Sequence, residues 1–267
     1  EVVAQDFVFA AQRIVDPATK SPLWSWVETW GVVGMAEARK AATAAQGPFN
    51  YDKPIDGLRA LDRYTLQYTL KEPRPRFIES IASSDLLGAQ AREVVEFYGD
   101  QISAHPVGTG PFRLKQWRRS SLIVLERSPD FREEFYSAEP AADDAEGQAL
   151  LARFKGRRLP MVDEVHISII EEAQPFWLSF LNEEIDIVAG QTGAVPGEYV
   201  NQAAPNGKLA PNLAKRSLQM KRQVNSDAVL FFFNMEDPVV GGYTADKVAL
   251  RRAVSLATNI DQLIRMG

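Results

Sequence analysis

The 267-residue chain is 45% apolar and 24% charged, an ordinary globular composition that excludes disordered and fibrous classes. Its 30 basic and 35 acidic side chains leave a net charge of −5, without a sustained basic run or basic residues clustered around aromatics, so nucleic acid is not an expected partner. Zero cysteines rule out disulfides, thiolate nucleophiles and Cys-ligated zinc, and no window approaches the roughly 20 apolar residues of a membrane span.

Val3, Phe7, Ala10, Ala11 and Ile14 recur at helical spacing, so a helix is predicted over Val2 to Ile14, stopped by Asp16 and Pro17. Glu1 then begins almost inside a helix, as if the chain were cut there. "SPLWSWVETWGVVG" places Trp24, Trp26 and Trp30 between turn residues, and core or helix docking is their first reading. "EARKAATAAQG" reads as an Ala-rich helix ended by Gly47 and Pro48. The period then becomes two: Tyr64, Leu66, Tyr68 and Leu70 share one face of a strand closed by Pro73 and Pro75, and "AREVVEFYGD" returns to helical spacing.

"HPVGTGPFRLKQW" leads into alternating "FRLKQW", and after "RRSS" comes alternating "LIVLERSPDF", which predicts a hairpin beginning at Phe112. A polar excursion with a short helix follows over Ser137 to Pro160. "MVDEVHISII" reads as a strand, "EEAQPFWLSFLN" as a helix and "EEIDIVAG" as a second strand, an order that predicts a β-α-β unit. Residues 191–226 read as loop with short elements, and "DAVLFFFNMEDP" as a buried strand. The strongest helix pattern is "TADKVALRRAVSLATNIDQLIR", with Val248, Ala253, Leu256, Ile260 and Ile264 as an apolar stripe behind Thr244 or Asp246.

No motif supplies catalysis. "VGTGPF" opens a strand instead of a helix and lacks the Lys of a phosphate loop. Only His105 and His166 are available as bases, and neither a GxSxG elbow nor HExxH is present. The acid pairs Glu171/Glu172, Glu183/Glu184 and Asp143/Asp144 read as solvated faces, because sequence adjacency does not place two carboxylates across a cleft. No metal or cofactor is expected. Many aromatics with few charges suit a cleft that binds by area and a few polar anchors.

Four stretches in series resemble one family, the family 5 periplasmic solute-binding proteins of ABC transporters, of dipeptide and oligopeptide type. "HPVGTGPFRLKQW" with "LIVLERSPDF" is similar to its VGTGPF segment and following strand. "LSFLNEEIDIV" resembles its L-x-x-G-E-I-D signature, with Asn182 and Glu183 where glycine and Glu are expected. "VALRRAVSLATNIDQLI" resembles its VRRALSLAIDR helix, with Asn259 where Asp is usual, and "VVAQDFVFAAQRIVDP" its TAEDVVFSLKRLADP element, with Val3 in place of Thr.

The resemblance implies an α/β fold like the type II periplasmic binding proteins, mixed sheets flanked by helices, truncated at both ends. It implies a partial small extra lobe over residues 1–107, a core-lobe segment over 108–231 and the start of the second lobe over 232–267. The connection at "VGTGPF" would then be architectural, its glycines permitting a tight turn. It further implies a periplasmic or outer-face receptor that encloses a small solute, above all a short peptide, between two lobes and delivers it to membrane permease subunits. Cleft residues would be Trp24, Trp26, Phe231, Phe233 and Asn234, with core packing the competing reading for each aromatic. A ligand-sensing domain of a regulator and a hydrolase are the alternatives, told apart by a fused DNA-binding domain and by turnover.

Overall fold

The computed structural model describes residues 1–45, 47–83, 87–188, 195–221 and 230–262. The chain divides into two units, Glu1–Ile169 and Ile170–Gly267. The first begins with α1 (Ala4–Val15), whose Val8, Ala11, Ile14 and Val15 are buried as the helical period requires. The Asp6 carboxylate accepts the Val3 amide at 2.8 Å, the half of a capping box that a valine cap allows. After Asp16 the chain forms one 3-10 turn and then α2 (Trp24–Thr29) and α3 (Met35–Ala45).

Strands β1 (Leu58–Ala60) and β2 (Leu66–Tyr68) pair antiparallel. Leu66, Tyr68 and Leu70 pack against the core as the alternation predicts, while Tyr64 is exposed and bonds the Glu1 carboxylate. The core collects Val27, Trp30, Val32, Met35, Ile55, Leu58, Phe77 and Leu87 around the inner face of α1. Burying each such side chain contributes about 1.5–3 kcal/mol.

Three backbone segments cross beside this core in a closed ring of hydrogen bonds. Gly57 N–H donates to Val33 C=O (2.8 Å), Val33 N–H to Thr69 C=O (3.0 Å), and Thr69 N–H to Gly57 C=O (2.8 Å). A Cβ on Gly57 would lie 2.6 Å from both Val33 N and Val33 O and 2.7 Å from Thr69 O, so only glycine fits.

Helices α4 (Phe77–Ile81) and α5 (Arg92–Tyr98) follow. Beyond them, β3 (Phe112–Arg118), β4 (Leu122–Arg127) and β5 (Glu164–Ser168) form an antiparallel sheet in that order. The hairpin starts at Phe112 as expected. Simple alternation would set Trp117 with Arg113 and Lys115, but a bulge at Lys115 interrupts the register. Leu114 opposes Leu125 and Trp117 opposes Ile123, so both apolar residues share a face. The excursion before β5 holds α6 (Ala145–Phe154), with Asp144 as its cap, its Oδ1 accepting Gly147 N–H at 2.9 Å.

The second unit packs α7 (Ala173–Leu181), α8 (Gly197–Ala203) and α9 (Pro211–Ala214) around Trp177, Ala203, Ala210 and Leu213. The Trp177 indole lies 5.9 Å from the Tyr199 ring and nearly parallel to it, and its N–H is buried with no partner among the described residues. Last comes α10 (Ala245–Ala257).

Several expectations for this part of the chain need correction. Residues 183–188 form no strand and Ile187 is exposed, so the β-α-β unit is not formed there; β5 instead pairs antiparallel with β4. Residues 230–234 of the expected buried strand are likewise unpaired, with Phe231 and Phe232 exposed. An apolar run becomes a strand only when a neighbour completes its ladder, and no described residue does so here. Residues 227–229 of that run and Ile264 lie outside the described residues. Helix α10 exists as predicted but stops at Thr258, where Asn259 Oδ1 accepts Gln262 N–H at 2.9 Å and starts a new turn. None of its residues is buried.

The glycines of "VGTGPF" are not demanded by geometry. Neither Gly108 nor Gly110 has a left-handed φ, and a Cβ on either would meet nothing within 4 Å. Gly108→Ala is therefore expected to change stability by less than about 1 kcal/mol in either direction, whereas Gly57→Ala, forced against three backbone atoms, should cost more than about 2 kcal/mol. Urea denaturation of the two variants compares them directly.

Candidate functional site

The expected cleft residues fall into two groups, one in each unit. Trp24 opens α2 and is half-buried against the core, with the Arg39 guanidinium 4.8 Å above its ring. Arg39 also donates to the carbonyls of Ile14 (3.2 Å) and Val15 (3.1 Å), closing the C-terminus of α1. Trp26, two residues further along the helix, points elsewhere and is 66% exposed. Residues two apart on a helix do not share a face, so these indoles form separate surfaces and not one wall.

In the second unit Phe231 is 82% exposed, Phe233 is half-buried and Asn234 is exposed. Asn234 Oδ1 accepts the Glu236 amide at 3.0 Å, which commits its oxygen to a turn and leaves its NH₂ to donate. The turn continues through Asp237, whose Oδ1 accepts the amides of Val239 (2.7 Å) and Val240 (2.9 Å), bonds that hold its carboxyl below the usual range. Lys247 and Arg251 of α10 donate to carbonyls of the same loop, Lys247 to Pro238 and Val239, Arg251 to Val240 (2.6 Å) and Gly242 (2.8 Å).

The residues weighed for catalysis sit in structural settings. His105 stacks on Tyr98 with ring centres 3.8 Å apart. His166 lies exposed on β5, Nε2 2.9 Å from Glu164, whose carboxyl is held low first by Lys115 and then by His166. The three acid pairs are exposed, Asp144 caps α6, and Glu183 pairs with Arg216 at 2.8 Å. Among the described residues no cluster of His, Asp or Glu could hold a metal ion, and no helix is long and apolar enough to cross a membrane.

Sequence reasoning missed a buried polar pair. Asp16 is 6% exposed, yet its Oδ1 accepts Ala18 N–H (2.8 Å) and its Oδ2 accepts the Tyr51 hydroxyl (2.7 Å). Both acceptors are satisfied, which is what makes a buried carboxylate tolerable. Burial and the Asp16 charge push the Tyr51 hydroxyl up, and burial alone pushes Tyr68 up to about 12. The "DP" dipeptide signalled a helix stop, but nothing in the sequence pointed from Asp16 to a tyrosine 35 positions away.

Comparison with known proteins adds the following. Residues 1–266 match the family model for bacterial extracellular solute-binding proteins, family 5, middle part. The periplasmic oligopeptide-binding protein OppA of Escherichia coli is 34% identical over 134 residues, 49% of this chain and 23% of that protein. The probable deoxycholate-binding periplasmic protein YgiS of the same organism is 32% identical over 134 residues, again 49% of this chain and 23% of that protein. The crystal structure of Haemophilus influenzae OppA in complex with the peptide RPPGFSPFR superposes with a TM-score of 0.53 at 22% identity, covering 82% of this chain and 34% of that one. The matches thus span about a quarter to a third of these relatives' lengths, and the fold is that of the type II periplasmic binding proteins.

Alkaline stability tests the buried tyrosines. A tyrosine of ordinary pKa about 10 ionises first in the unfolded chain, so the folded state loses stability as pH rises from there through about 12, where half-buried Tyr68 ionises. Tyr68→Phe should match the parent at pH 8 and retain about 2 kcal/mol more stability at pH 12, read as urea midpoints across that range. Equal slopes for both proteins would contradict the assignment.

Proposed function

Since this chain belongs to the bacterial extracellular solute-binding proteins, family 5, we propose that it acts in an extracytoplasmic receptor of an ABC importer. The receptor captures a short peptide between two lobes and hands it to permease subunits in the membrane. The observation that carries this reading is the family match along residues 1–266. It is supported by the 34% identity to a protein named for binding oligopeptides, against which the relative named as a probable deoxycholate-binding protein, at 32%, sets the competing ligand chemistry.

We assign the lobes as residues 1–107, 108–231 and 232–267, with chain crossings near Val107 and Phe231. Trp26 and Phe231 are the proposed apolar contacts with the solute, since both hold their rings out of the core (66% and 82% exposed). Trp24 is assigned to the solute site beside Trp26, and Phe233 beside Asn234, whose NH₂ donates to a peptide carbonyl. No chemistry is performed on the ligand: binding by area and a few hydrogen bonds is the whole task.

The test is native mass spectrometry of the purified protein, followed by denaturation and identification of any released molecule. A stoichiometric short peptide is the expected result, with Trp26→Ala and Phe231→Ala each lowering affinity by about tenfold. A released steroid acid would replace the peptide class while keeping the receptor. A protein that releases nothing and is not stabilised thermally by di- to pentapeptides would overturn the receptor reading, as would hydrolysis of the peptides.

A further inference from the structure

The cleft between α2 and the segment leading into α4 carries a charge that the fold does not use. It has a volume of 680 Å³, and its lining includes Trp26, Trp30, Arg74, Arg76, Phe77 and Glu79. Trp30 and Phe77 are 8% and 9% exposed and meet edge to face at 5.8 Å, which makes a fixed apolar floor. Trp26 stands over that floor with most of its indole free.

The two arginines differ. Arg76 Nε is paired with the Glu79 carboxylate at 2.9 Å. Arg74 has no carboxylate partner among the described residues, so this cleft holds one uncompensated positive charge in a chain of net charge −5. Arg74 also lies between Pro73 and Pro75, whose rings lock their own φ and restrict the residue before each. Phe77 N–H donates to Arg74 C=O at 3.0 Å and fixes the turn that follows. A rigid backbone presenting an open guanidinium fork beside an exposed indole suits a carboxylate attached to an extended chain. The fork takes both carboxylate oxygens and the ring covers the adjoining apolar atoms.

We propose that this cleft binds a carboxylate-bearing segment of a peptide, Arg74 gripping the carboxylate and Trp26 packing on the neighbouring atoms. That the ligand is a peptide rests on the function proposed above; the preference for negative charge comes from the cleft itself.

The test titrates the intact chain with two capped peptides, N-acetyl-Ala-Glu-Ala-amide and N-acetyl-Ala-Gln-Ala-amide, which differ by one carboxylate, and follows the tryptophan fluorescence. The acidic peptide should bind about tenfold more tightly at low ionic strength, and added salt should shrink the difference. Arg74→Gln should abolish the preference, the double change Arg76→Gln with Glu79→Gln should keep it because it removes a pair whose charges already balance, and Trp26→Ala should weaken both peptides alike. Equal affinities, or a preference that survives Arg74→Gln, would overturn the assignment while leaving a peptide receptor standing. Binding of neither peptide would overturn it as well, and the release of a bound peptide in the mass-spectrometric experiment would show that the receptor reading had survived.

Discussion

Three backbone hydrogen bonds hold together the segments that pack around α1. The ring through Gly57, Val33 and Thr69 joins the chain after α2, the turn before β1 and the end of β2. Val32, Ile55 and Leu58, each within two residues of a ring member, are all 3% exposed or less, and Leu70 packs against them. Their entry into the core follows from where the ring places the backbone. Because the bonds are made by main-chain groups, the ring tolerates most side chains at Val33 and Thr69 but none at Gly57. Hydrophobic burial supplies the driving force, and the ring decides which segments share it.

The second unit is organised differently. Its apolar cluster is small and includes Trp177, and arginine and lysine side chains tie down its turns. Arg216 binds both the Leu181 carbonyl (2.5 Å) and the Glu183 carboxylate (2.8 Å), and so secures the turn after α7. In that turn Glu183 adopts a left-handed φ of 64°, a conformation that costs a residue with a side chain about 1–2 kcal/mol. Asn182 is the helix cap just before it. Lys247 and Arg251 perform a similar service for the loop after Asn234.

How legible the chain was depends on how many partners each feature needs. Helix α1 and the hairpin at Phe112 depend on local periodicity, and both were readable. Residues 183–188 and 230–234 carry strand-like composition, but a strand is a relation between two segments and one alone cannot report it. Gly57 and the Asp16–Tyr51 pair join segments far apart in sequence, so no spacing rule exposes them. Within the candidate site, the exposure of Trp26 and the burial behind Trp24 follow from helical geometry once α2 is recognised. Arg74 drew no notice because its relevance comes from an ion pair that it does not make. The family emerged from four motifs in order, each weak alone.

The bulge in β3 separates the length of that strand from its pairing. Without Lys115, the sequence Phe-Arg-Leu-Gln-Trp would alternate without interruption, and Leu114 would still oppose Leu125 and Trp117 still oppose Ile123. Lys115 is in this sense a spare residue, held in place by its ion pair with Glu164 on β5, two strands away. Loss of one residue here would shorten the strand and sever that tie without turning the apolar face over, while loss of Arg113 would move Phe112 off the face that Leu114 and Trp117 share. Two deletions a few residues apart in one strand would therefore have opposite fates, and only the register explains which of them the fold survives.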